Sequence, residues 1–132
     1  DSPMSRGLGD VYKRQHVSNE APKKVLHDIF IRYEFDKMTK KFVEELFNST
    51  IKFSEELDSH IESNLENWTV DRLNVIDRLI MQMSLCEMIH LKSYDISHKV
   101  TISSAIENAK KFSSEDSTSF VNGVLDSIYK EL

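Results

Sequence analysis

The run LIMQMSLCEMIHL, positions 79–91, leaves this chain few folds to choose from. Wound into a helix, its apolar side chains cover nearly the whole circumference, with Gln82, Ser84, Glu87 and His90 as minor polar breaks. A helix apolar on every side must be enclosed by neighbours. The run is well short of the roughly 20 apolar residues that a membrane span needs, so the enclosing surface is expected to come from other helices of the same chain. Met81, Met83 and Met88 read as fillers of irregular gaps rather than as a metal box, and Cys86 as a buried, inert thiol.

The stretches around this run supply the neighbours. Residues 1–20 hold two of the three glycines and show no sustained period; they read as a disordered or foreign flank, with the domain occupying 21–132. From Pro22 to about Glu34, Val25, Leu26, Ile29, Phe30 and Tyr33 form a first apolar stripe. Asp36 is placed to cap a second helix carrying Phe42, Val43, Leu46, Phe47, Thr50 and Ile51. Ser54 restarts or bends it, Glu55 and Glu56 suit the positive end of a helix, and Leu57, Ile61 and Leu65 carry the buried face to about Glu66. Thr69 is the expected N-cap of the central helix, with Trp68 packing on Leu73 as a hydrophobic staple. A further helix is expected from about Ser97 to Phe112, and a last one behind the cap Ser114, with Glu115 and Asp116 in its first turn and an Asp126–Lys130 pair near its end. Gly123 interrupts that last amphipathic helix at a cost of about 1 kcal/mol relative to alanine. The expectation is a close helix crossing at Gly123, with Asn122 beside it buried and bonded to a neighbouring backbone group.

Charge and motif content narrow the function classes. A net charge of −5 disfavours binding nucleic acid by electrostatics alone, so an RNA role calls for a partner or a local patch. The five histidines never fall at the paired spacing that sets two zinc ligands on one helical face, and no phosphate loop, dinucleotide fingerprint or nucleophile elbow occurs. The reading is a non-enzymatic, cytoplasmic, all-α domain with no metal and no cofactor.

The segment KVTISSAIENAKKFSSEDSTSFVNGVLDSIYKEL, residues 99–132, together with DRLNVIDRLIMQMSLCEMIHL upstream, resembles the NusB family of transcription antitermination factors over about residues 37–132. The resemblance implies an all-α NusB-like fold of two small helical bundles packed across one another. It also implies a function: binding of the boxA element in nascent ribosomal RNA leaders as a heterodimer with NusE, a small-subunit ribosomal protein, within the RNA polymerase antitermination complex. On matching positions it assigns RNA contact to Asp116 and Phe120, an acceptor and an aromatic face, and partner contact to Asp77 with Arg78 beside it. The family's arginine-rich opening helix has no counterpart among Arg6, Arg14 and Arg32, and Ser119 stands where a basic residue is common, which suggests a truncated member with an incomplete N-terminal bundle. Two other readings share this helical pattern: the NusB-like domain of a ribosomal RNA cytosine methyltransferase, and a helical interaction module without an RNA role.

Overall fold

The computed structural model describes residues 36–132; the flank and the expected helix from Pro22 to Glu34 lie outside the described residues. Five α-helices follow: α1 (Lys37–Lys52), α2 (Ser54–Glu62), α3 (Val75–His90), α4 (His98–Phe112) and α5 (Glu115–Glu131), with single 3-10 turns at Val70–Arg72 and Lys92–Tyr94. No strand occurs among the described residues. Capping chemistry marks the starts. Asp36 accepts from the Thr39 amide at 2.7 Å, Ser97 from the Val100 amide at 3.2 Å and Ser114 from the Ser117 amide at 3.2 Å, each satisfying a donor that the first helical turn leaves open. Between α1 and α2 the chain bends without a side-chain cap: the Phe53 amide still bonds the Ser49 carbonyl at 2.9 Å, and the Leu57 amide bonds Phe53 at 2.9 Å. The break falls at Phe53, and Ser54 restarts the helix, one of the two roles its place in the pattern suggested.

Helix α3 is the centre. It packs against α1 and α2 on one side and against α4 and α5 on the other, while α4 and α5 pair most extensively with each other. Ile80, Met81, Leu85 and Cys86 are wholly buried, and Met83 and Met88 nearly so. The polar breaks join them rather than facing out: Gln82 and Ser84 are buried, Gln82 donating to Asp58 of α2 at 2.7 Å. Burial pushes the Cys86 thiol up to about 11, so it stays protonated and unreactive at neutral pH.

Three expectations about local structure are overturned. The central helix does not start at Thr69. Thr69 opens only the 3-10 turn Val70–Arg72, and Leu73, extended at φ −75° and ψ 152°, separates that turn from α3. The cap is Asn74, whose Oδ1 accepts from the amides of Ile76 at 2.8 Å and Asp77 at 3.4 Å. Trp68 therefore precedes a 3-10 turn rather than the first turn of α3, and it is 54% exposed, whereas Leu73 packs against the core. Gly123 is not a crossing point either. It lies on the exposed face of α5, and a Cβ built there meets nothing within 4 Å. Asn122 is exposed beside it rather than buried. The reason is angular: α5 turns Val121, Val124, Leu125 and Ile128 inward, which leaves positions 122 and 123 on the opposite side.

Because that space is open, Gly123→Ala is expected to stabilise the fold by about 0.5–1 kcal/mol, through better helix propensity and a less disordered unfolded chain. A thermal melt monitored by circular dichroism checks this, and a lowered midpoint would contradict the exposed placement.

Candidate nucleic-acid interface

The start of α5 is built on a chain of hydroxyls. Ser117 is buried and donates to Asp77 Oδ2 of α3 at 2.8 Å. Its single proton is then committed, so the contacts of Ser113 Oγ at 2.9 Å and Ser114 Oγ at 3.1 Å to Ser117 Oγ must have those two serines as donors. Four polar side chains thus lock the first turn of α5 onto the first turn of α3. Asp77 is only 6% exposed, and its other oxygen, Oδ1, has no hydrogen-bond partner among the described residues.

With Ser117 facing inward, helical geometry turns its neighbours outward. Asp116 is exposed, and Phe120, one turn on, keeps 37% of its surface in solvent. Phe120 lines a cleft of about 550 Å³ whose other walls come from the segment between α2 and α3, chiefly Trp68, Arg72, Leu73 and Asn74, with Val124 on the α5 side. Asp116 does not line the cleft; it sits on the same helix start.

The segment opposite Phe120 is anchored at several points. Glu62 Oε2 accepts from the Val70 amide at 3.0 Å. Asn64 donates to the His60 carbonyl at 3.0 Å and accepts from Ser127 Oγ of α5 at 2.6 Å. Asn67 turns the chain in the left-handed region at φ 59°, a conformation asparagine tolerates better than most residues, and Trp68 follows it. The Arg72 guanidinium lies 5.8 Å from the centre of the Trp68 ring, within cation–π range.

Arg78 is committed elsewhere. Its guanidinium meets Asp58 of α2 through Nη2 at 2.7 Å and Nε at 3.3 Å, and reaches Asp71 at 3.4 Å. The hydrogen bond to Asp58 raises its already high pKa, so this partly buried residue is a permanent cation tying α2 to α3. Of the site residues expected from the sequence, the structure brings Asp116 and Phe120 together on one exposed helix start, joins Asp77 to that start from beneath, and sets Arg78 one position away in a separate ion-pair network. Sequence reasoning missed Ser117 and Arg72. Ser117 carries a faint signal, its S-x-x-S spacing from Ser114; Arg72 carries none, because its place over Trp68 depends on a turn that pattern alone does not reveal.

Comparison with protein families matches residues 8–130 to the NusB family. Among curated proteins, the chain is similar to the transcription antitermination protein NusB of Chloroherpeton thalassium, 38% identical over 97 residues, which is 74% of this chain and 45% of that protein. It is similar to the same protein from Salinibacter ruber, 34% identical over 122 residues, 92% of this chain and 75% of the relative. The chain thus spans less than half the length of the first relative and three quarters of the second. Among solved structures it resembles T. maritima NusB, with 32% identity, a TM-score of 0.83, and coverage of 97% of this chain and 89% of that one. A structure of antitermination factors NusB and NusE in complex with double-stranded RNA superposes with a TM-score of 0.84 at 26% identity, covering 98% of this chain and 96% of the matched one.

Proposed function

The chain belongs to the NusB family, and from that premise we propose that it is a transcription antitermination factor that binds boxA RNA of nascent ribosomal RNA leaders together with NusE. Its role is binding, without a catalytic step, in the cytoplasm and within an RNA polymerase antitermination complex. One observation on this chain carries the RNA side of the reading: an aromatic ring, Phe120, stands partly exposed on a cleft at the start of the last helix, one turn from the exposed carboxylate of Asp116. Sequence-specific RNA recognition usually takes unstacked bases, offering them aromatic faces to stack on and polar groups for their edges. Asp116 and Phe120 have that chemistry. Asp77 and Arg78 mark the proposed NusE-facing region, Asp77 from beneath because it is only 6% exposed. Asp77 is bonded to Ser117 beneath the RNA-facing turn, so a partner seated at the start of α3 would bear on the same buried network. The net charge of −5 fits a division of labour in which NusE supplies part of the electrostatic attraction to RNA.

A gel-shift titration with boxA RNA, with and without NusE, tests the reading. Binding is expected to strengthen with NusE and to weaken as salt rises. Phe120→Ala is expected to lower RNA affinity about tenfold, the scale of one lost base–aromatic stack, while the melting midpoint stays near that of the parent. No shift by the parent chain in the presence of NusE would sink the proposed function.

A further inference from the structure

We propose that Trp68 and Arg72 form the second wall of an RNA slot whose first wall is Phe120, and that this slot takes one unstacked nucleobase of a single strand. The inference rests on the RNA-binding reading above and extends it to two residues that no family position or sequence pattern assigned to RNA.

The starting point is Trp68, which among the described residues meets Arg72 across its ring yet stays 54% exposed, leaving much of a large apolar side chain in water. It does not sit on a slack loop. The Glu62–Val70, Asn64–His60 and Asn64–Ser127 hydrogen bonds, at 3.0, 3.0 and 2.6 Å, tie the segment on both sides of it to α2 and α5. The backbone that carries the ring is therefore anchored before any ligand arrives, which reduces the ordering cost of binding.

The cleft walls suit a flat heteroaromatic ring. Phe120 and Trp68 both line the roughly 550 Å³ space, with Leu73 and Val124 as further apolar lining. Arg72, 5.8 Å from the Trp68 ring, adds a guanidinium plane and a fixed positive charge, the pairing with which RNA-binding proteins stack a base and meet its phosphate. Polar groups for a base edge are also present. Asn74 uses its Oδ1 to cap α3, and its amide nitrogen makes no hydrogen bond among the described residues; Glu66 contributes a carboxylate acceptor to the lining. An apolar side chain from a protein partner would use the rings but neither Arg72 nor the edge groups, which is why a nucleobase is the favoured occupant.

The chain contains one tryptophan, so intrinsic tryptophan fluorescence reports position 68 alone. The full chain, bound to NusE, is titrated with single-stranded boxA RNA against a NusE-only blank, alongside a gel shift of the same samples. The expected result is saturable quenching that tracks the gel shift, about tenfold weaker RNA binding by Trp68→Ala, and near-parent binding by Trp68→Phe, since every base stacks on any aromatic face. Because the ring is half exposed, Trp68→Ala should melt with the parent, which separates lost binding from lost folding. RNA that shifts in the gel without quenching, with Trp68→Ala binding as the parent does, overturns the slot and leaves the proposed function standing. Quenching by NusE in the absence of RNA, with none added by RNA, makes the cleft a protein pocket and overturns the slot too. If the parent and NusE shift no RNA at all, both readings fall.

Discussion

Leu85→Ala is expected to cost about 2–5 kcal/mol of unfolding free energy, a large share of the stability a domain of this size has to lose. Leu85 is wholly buried on α3, where helices from both halves of the molecule meet, so truncation opens a cavity that no single neighbour can fill by shifting. Denaturant unfolding followed by circular dichroism reads the loss directly. A change below about 1 kcal/mol would mean that α3 is not the enclosed centre of the fold, since such values belong to surface substitutions.

The second large effect is expected at Ser117. Removing its hydroxyl in Ser117→Ala takes away the hydrogen bond that Asp77 Oδ2 receives at 2.8 Å, and leaves the buried carboxylate without a side-chain donor among the described residues. The expected loss is about 3 kcal/mol, because stranding a buried charged acceptor costs more than an ordinary hydrogen bond is worth. The double variant Asp77→Leu/Ser117→Ala separates this mechanism from a simple packing defect. Replacing both partners by apolar groups removes the stranded charge, so the double variant should be more stable than Ser117→Ala alone. A double variant that loses the sum of two independent defects would show that the two side chains are not coupled across α3 and α5. The same pair bears on function. Ser117 lies between Asp116 and Phe120 on α5, so loosening it should also blunt RNA binding, in proportion to how far the helix start frays.

Much of this fold was legible in the residues. The caps Asp36 and Ser114 stand where their short polar side chains met the first turn of a helix, a local interaction that needs no knowledge of the rest of the chain. The Asp126–Lys130 pair, at 3.1 Å, is local in the same way. The all-round apolar run at 79–91 became the buried centre because no other arrangement removes every face of such a helix from water.

The failures share one physical origin. Whether Gly123 and Asn122 meet another helix, and which residue caps α3, depend on rotations and turns set by distant contacts. The expected cap was Thr69, and the structure instead caps α3 with Asn74, five residues on. The choice between them followed from Glu62 holding the Val70 amide and Leu73 turning into the core. Once Asn74 became the cap, Trp68 was left on an anchored turn facing the cleft rather than on the first turn of α3.

From its residues alone, then, this chain is determined to be a helical domain with an enclosed central helix, and its C-terminal two-thirds resemble the family in their order of parts. Period and capping are properties of neighbours in sequence, so they can be read one helix at a time. Only the tertiary structure decided that Asp77 lies under Ser117, that Gly123 faces water, and that Trp68, Arg72 and Phe120 share one cleft. Each of those joins elements tens of residues apart, and their meeting depends on how whole helices rotate about α3 to bury the most apolar surface.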